Sequence, residues 1–255
     1  MSVKSRKTGY FIPVSGLIVV GLLMTISPAD SHGDTVITLS TGDAWTHNSD
    51  VQYAVPEESN LTYNDVKWDT DAFEMPPYYG ARVTHWFHKL PDWGLALDFT
   101  HAKMISDRGR SVQVVGERGG VPVDNVEPLG DTFSQLEFSD GHNLFTLNAM
   151  RRWHPLEGRG RFTSPETAIY VGGGVGFAMP HVEVVTAETD TMEYQLAGPA
   201  AQFLTGVSLP LGKHFSVITE YRFTYAEIDA DLKGGGSLTT DAMTHHLNVG
   251  LGFGF

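Results

Sequence analysis

The chain of 255 residues contains no cysteine, so no disulfide framework can hold it after export, and its stability must come from backbone pairing and packing. Cations are scarce as well. The sequence has 17 lysines and arginines against 30 aspartates and glutamates, a formal net charge of -13. A surface of that sign argues against nucleic acid as a partner. Long apolar runs are confined to the N-terminus, and no later stretch approaches the about 20 residues that a spanning helix needs. If the exported chain sits in a membrane, it must therefore do so as a closed barrel, because an open sheet leaves backbone groups unpaired in lipid.

The N-terminus reads as a secretory leader over residues 1–29. Lys4, Arg6 and Lys7 precede an apolar run from Tyr10 to Ile26, and Ser27-Pro28-Ala29 places small residues where a signal peptidase cuts. Pro13 interrupts the run, which disfavours a retained anchor. Without the three leader cations, 14 basic residues face 30 acidic ones. Residues 30–255 then form one domain.

The last eleven residues, His245 to Phe255, carry the fold signal. Leu247, Val249, Leu251, Phe253 and Phe255 share one parity, and His246, Asn248, Gly250, Gly252 and Gly254 share the other. Strand side chains alternate faces, so one face suits lipid and the other a polar lumen. In a soluble sandwich the same strand would be an uncovered, aggregation-prone edge. Seven further segments read as strands: 36–47, 67–87, 93–105, 135–154, 167–185, 193–209 and 214–228. The connections near 89–92, 155–165 and 210–213 are short and those between them long, as periplasmic turns and outer loops are. Trp86, Trp93 and Trp153 beside the short turns suit an aromatic girdle. The expected fold is all-β, an eight-stranded antiparallel transmembrane up-and-down β-barrel with both termini periplasmic, in the outer membrane of a Gram-negative bacterium.

Parity turns Arg82, Asp98, Asn148, Glu220, Arg222, His246 and Asn248 inward. Eight strands enclose a lumen just wide enough to fill with side chains, and buried charges need partners, so Arg82, Asp98, Glu220 and Arg222 read as an ion-pair plug. Gly172, Gly174 and Gly176 read as inward glycines that clear lumen space; with no following helix, GGGVG is not a nucleotide loop. Pro76, Pro77, Pro180 and Pro199 fall in segments read as strands, where proline cannot donate to the ladder. Either they open gaps in the wall near the outer leaflet or they lie above the membrane.

Histidines and carboxylates gather at the outer ends of the strands: Glu74, His101, Glu137, Asp140, His142, His181, Glu183, His245 and His246. Such groups bind a divalent metal or exchange protons. The most economical catalytic set is Glu74, His101, His142 and His181, with the three histidines as metal ligands. Singly, each histidine better suits a solvated or interfacial role, since no HExxH-type spacing is present. Arg108, Arg110 and Arg118 in the stretch 106–131 are candidates for lipid phosphate, with His246 as a further substrate contact; a solvated mixed-charge loop is the other reading. His214 and Ser216 share a face in the manner of outer-membrane deacylases, but they adjoin a short turn, on the wrong side for an outer-leaflet substrate.

Five strings carry a family resemblance: Phe73-Glu-Met-Pro-Pro-Tyr-Tyr-Gly80, Leu97-Asp-Phe-Thr-His-Ala-Lys103, Leu136-Glu-Phe-Ser-Asp-Gly-His-Asn143, Met179-Pro-His-Val-Glu183 and Tyr194-Gln-Leu-Ala-Gly-Pro199. They resemble the lipid A oxidases of rhizobial outer membranes, over most of the chain from about Lys67 onward. The resemblance implies an oxygen-dependent oxidoreductase converting the proximal glucosamine of lipid A to 2-aminogluconate, with hydrogen peroxide as co-product. It assigns no catalytic residue. No flavin, haem or nucleotide motif is visible, so a divalent metal at the histidine and carboxylate rim is the simplest redox supplement, with molecular oxygen as acceptor. The implied partners are lipid A or lipopolysaccharide, the outer membrane and the barrel assembly machinery. The alternative function is a non-enzymatic small barrel that stabilises the envelope or binds surface ligands.

Overall fold

The computed structural model describes residues 34–155 and 166–255. The leader read over 1–29 lies outside the described residues. The chain runs through β1 (Thr35–Thr46), β2 (Ser49–Val55), β3 (Ser59–Val66), β4 (Trp68–Asp69), β5 (Tyr79–Phe87), β6 (Leu90–Ala102) and β7 (Ile105–Ser106). It continues with β8 (Ser111–Arg118), β9 (Val121–Pro128), β10 (Gln135–Glu137), β11 (His142–Trp153), β12 (Ala168–Ala178) and β13 (His181–Val185). The last four are β14 (Asp190–Tyr194), β15 (Gly198–Leu211), β16 (Phe215–Asp231) and β17 (Ser237–Gly254).

Eight of these pair antiparallel in chain order, β1-β5-β6-β11-β12-β15-β16-β17, and β17 returns to β1. The ring therefore has no free edge. Thr35 and Phe255 exchange backbone hydrogen bonds (3.3 and 3.1 Å), so both described ends meet at one rim, beside the short connections between β5 and β6 and between β15 and β16. Along β17, Leu247, Val249, Leu251, Phe253 and Phe255 face outward, and His246, Asn248 and Gly252 are buried, as parity predicts. Leu97, Leu147 and Val175, which pair across β6, β11 and β12, form an exposed apolar row. A polar interior, an apolar exterior and a closed ladder are together what lipid demands of a spanning sheet, and they place the chain in the outer membrane.

The interior is a plug of paired charge. Arg82 Nε lies 2.5 Å from Asp98 Oδ2 and Arg82 Nη1 2.5 Å from Glu220 Oε2, while Arg222 Nη2 lies 3.0 Å from Glu220 Oε1 and 3.2 Å from Asp98 Oδ1. Tyr170 Oη donates to Glu220 (2.9 Å) and Gln202 Nε2 to Asp98 (3.3 Å). Two guanidinium groups and two carboxylates thus neutralise one another in the lumen, which is how buried charge is tolerated.

Beyond the ring lies a cap that parity alone did not anticipate. The strands β2, β3, β8 and β9 continue the sheet from the upper part of β17, and β14, β13, β10, β7 and β4 form a second sheet. Between them sits an apolar core in which the Phe133 ring meets Tyr53 (5.3 Å) and Tyr63 (5.0 Å) edge-on, with Leu136, Val182, Val184 and Ile228 around it. Each such side chain contributes about 1.5–3 kcal/mol by leaving water.

Several segment readings change accordingly. The stretch 67–87 is two strands around a loop that carries Pro76 and Pro77, and 135–154, 167–185 and 193–209 each split into a cap strand and a ring strand. Pro180 falls in the break between β12 and β13, and Pro199 opens β15. The prolines thus lie at or above the ends of the ring strands, and the wall below them stays paired. The stretch 106–131 is the hairpin β8–β9, turned by Gly119 and Gly120, both at positive φ (58° and 73°). The closing strand begins at Ser237, well before residue 245. Gly174 and Gly176 do not clear the lumen: a Cβ there would strike the carbonyls of Leu147 and Phe145, so these glycines let β12 approach β11. Of the three girdle tryptophans, Trp86 is buried under Arg152, and Trp93 and Trp153 face outward.

Candidate functional site

The ladder fixes two rows of side chains on the outside of the wall. In the lower row Phe99, Phe145 and Phe177 are register partners across β6, β11 and β12, with ring centroids 4.9 and 5.2 Å apart. In the next row up, Tyr79, His101 and Asn143 are partners across β5, β6 and β11. His101 stacks on Tyr79 (4.7 Å), and its Nδ1 donates to Asn143 Oδ1 (2.9 Å). Although it has outward parity, His101 is only 4 % exposed, and its Nε2 has no partner.

The loop between β10 and β11 covers this row. Gly141 has φ 136°, and a Cβ on it would lie 2.9 Å from His101 Cε1, so only glycine lets the loop close over the imidazole. The Gly141 carbonyl accepts the His181 N–H (2.8 Å), which brings the start of β13 alongside. One donor atom from each of Asp140, His181 and Glu183 then lies within 4.8 Å of the others. His181 Nδ1 is 3.1 Å from Glu183 Oε1 and 3.9 Å from Asp140 Oδ2.

Glu183 is buried and held from several sides. Its Oε1 accepts the N–H of Ser139 (3.2 Å) and of Asp140 (2.9 Å) and the Ser139 hydroxyl (3.0 Å), and its Oε2 accepts Gln135 Nε2 (2.7 Å). Asp140 is exposed, and Tyr194 lays its ring 4.8 Å from His181 while donating to the Asp140 carbonyl (3.0 Å). Burial, followed by the neighbouring charge of Glu183, holds the Glu137 carboxyl above the usual carboxylate range. Chemically, a fixed carboxylate that accepts a hydrogen bond from the Nδ1–H of a histidine leaves Nε2 as a base, and the same trio has the donors to hold a divalent cation.

The residues expected from sequence separate into three groups. His101 and His181 join the outer-wall cluster, together with Asp140 and Glu183. His142 faces the lumen instead, fully buried, with neither ring nitrogen partnered. His246 lies with it in the upper lumen, its ring 5.6 Å from Tyr78 and its Nε2 3.0 Å from Thr224 Oγ1. The Tyr78 hydroxyl and the Asn248 amide are likewise buried without partners. Buried polar atoms in that state ordinarily bond ordered water, an ion or a ligand.

Glu74 stands apart: its side chain is exposed on the loop before β5, and its carbonyl accepts Lys103 Nζ (3.0 Å). Of the arginines, Arg108 reaches the Ser134 carbonyl near Glu137. Arg110 pairs with Asp65 (2.8 Å) and Arg118 with Glu127 (2.5 Å), which ties both into the cap. His214 sits at the terminal rim, its Nδ1 donating to the Gly254 carbonyl (3.1 Å). The sequence reading missed the pairing of Asp140 with Glu183. No short spacing announces it; only the register of β10 against β13 creates it.

The chain matches no protein-family model and no curated protein sequence. Among solved structures it is similar to the outer membrane protein OprG from Pseudomonas aeruginosa, with 13 % identity over 88 % of this chain and 96 % of that one and a TM-score of 0.43. It is also similar to the outer membrane protein AlkL in lipid bilayers (15 % identity, 90 % and 93 % coverage, TM-score 0.44). A third likeness is to the outer membrane protease OmpT from Escherichia coli (8 % identity, 89 % and 98 % coverage, TM-score 0.44).

Proposed function

We propose that the ring is an eight-stranded transmembrane up-and-down barrel with its short turns and termini in the periplasm, and that the chain modifies lipid A from the outer leaflet. One observation carries this reading. The cluster of His101, Asp140, His181 and Glu183 stands on the outer wall directly above the Phe99, Phe145 and Phe177 row. Aromatic rows of that kind mark the head-group level of a bilayer. A sugar head group can therefore reach the cluster sideways, without passing the plugged lumen.

The reaction that the sequence resemblance supports is oxidation of the proximal glucosamine. The C1–H and O–H bonds of the hemiacetal break and a carbonyl forms; two electrons and two protons pass to molecular oxygen, giving hydrogen peroxide, and water opens the lactone to 2-aminogluconate. In this reading His101 Nε2, left free by the Nδ1 bond to Asn143, takes the hydroxyl proton, and Arg108 is the cation best placed for a lipid phosphate. A divalent metal supplies the redox function, and the barrel assembly machinery inserts the chain in the membrane.

Mass spectrometry of lipid A incubated with the purified protein, oxygen and divalent metal tests the proposal. A gain of one oxygen atom, lost in His181→Ala, supports it, and an unchanged mass rejects it. The tying of Arg110 and Arg118 into the cap favours the second reading, a non-enzymatic envelope barrel, which predicts that unchanged mass.

A further inference from the structure

We propose that Asp140, His181 and Glu183 form a divalent-cation site on the outer wall, with open coordination positions facing the head-group level. The inference deepens the functional reading above, since it names what occupies that same cluster, but its geometry stands without any assumption about the reaction.

Three observations converge on it. First, the donor atoms of the three residues already lie within 4.8 Å of one another, and His181 Nδ1 is 3.1 Å from Glu183 Oε1, so little movement brings them around one ion. Second, the supporting groups that a metal site needs are in place. Two backbone N–H groups, the Ser139 hydroxyl and Gln135 hold the Glu183 carboxylate, and Tyr194 packs on the His181 ring. Such outer contacts orient ligands before the ion arrives. Third, negative charge is in excess. Glu137, Asp140 and Glu183 crowd one corner, where Glu137 feels both other carboxylates and Arg108 as the opposing cation.

One imidazole nitrogen and two carboxylate oxygens form a hard to borderline donor set, which suits Mn2+, Fe2+ or Zn2+ and disfavours Cu+. The exposure of Asp140 keeps one side of the ion accessible to solvent or to an oxyanion. The buried His101 beside Gly141, with its free Nε2, borders the cluster.

The test uses Mn2+ as probe, titrated into the full chain in detergent and followed by the electron paramagnetic resonance of the free ion. The expected result is one saturable ion per chain, weakened about tenfold or more in Asp140→Asn and His181→Ala and unchanged in Asp92→Asn at the opposite rim. Glu183 also anchors the loop, so the exposed Asp140 keeps the test independent of folding. Absence of saturable binding in the unaltered chain, or equal binding in both variants, overturns the proposal. Saturable binding with no change in lipid A mass would leave the site standing and reject the oxidase reading alone.

Discussion

Ring and cap share one sheet, to which the cap adds a second, yet they bury opposite kinds of side chain. In the ring, Arg82, Asp98, Glu220 and Arg222 turn inward while Leu97, Leu147 and Val175 turn outward. In the cap, Tyr53, Phe133 and Val184 turn inward while Asp124, Glu117 and Arg118 turn outward. The chain changes rule along single strands. On β16, Glu220 and Arg222 face the lumen, and Ala226, Ile228 and Ala230, of the same parity, face the apolar core of the cap. In the proposed placement, inversion of that kind marks a change of solvent, from lipid to water, near the level of the Tyr79–His101–Asn143 row. The candidate site lies on that boundary.

The largest expected effect comes from breaking the ring's interior. Glu220→Ala leaves Arg82 and Arg222 sharing one carboxylate in the lumen and should cost about 3–5 kcal/mol, read as a lower urea midpoint for the protein folded in lipid vesicles. Joint replacement of all four plug residues by apolar ones of similar volume should cost far less, because no unpaired charge remains.

A smaller effect separates the exteriors. Leu147 and Val126 are similarly exposed, 52 % and 66 %. Leu147→Arg should destabilise by about 2–4 kcal/mol, as a cation facing hydrocarbon does, whereas Val126→Arg on the cap should stay within about 0.5 kcal/mol. Equal costs would mean that both surfaces meet the same solvent.

The smallest effect concerns pH and belongs to the cap. The Glu137 carboxyl is held above its ordinary value by burial and by Glu183, so the folded state binds its proton more tightly than the unfolded one. Stability from this group is fully present below the unfolded value and is lost as pH rises through the raised folded value. Hydrogen exchange along β10 and β13, corrected for intrinsic rates, should therefore slow as pH falls through that window. In Glu137→Gln the trend should vanish, and its persistence would assign it to another group.

The ring was legible in sequence because lipid imposes a strict period of two: the parity of residues 245–255 and the inward Arg82, Asp98, Glu220 and Arg222 followed from alternation alone. The cap was harder to read. Its core is assembled from short strands in which every second residue is apolar, while Pro76, Pro77 and Pro180 mark breaks that alternation runs straight through. Gly119-Gly120 between valine-rich flanks was a usable hairpin signal for β8–β9. Of the candidate cluster, the sequence reading listed all four residues at the strand ends but singled out only His101 and His181; closure of the loop over Gly141 brings Asp140 and Glu183 beside His181, and the same fold leaves Glu74 on the exposed loop.

The absence of cysteine makes the decisive measurement direct. Single cysteines at Leu147, Val175, His181 and Val126 can each carry a spin label in the chain folded in bilayers, and collision with oxygen can be compared with collision with a water-soluble nickel chelate. Labels at 147 and 175 should respond mainly to oxygen and the label at 126 mainly to nickel, with the crossover at 181. If 181 responded as 126 does, with the crossover far below the Phe99–Phe145–Phe177 row, the cluster would stand clear of the membrane and the lipid-facing site would be contradicted.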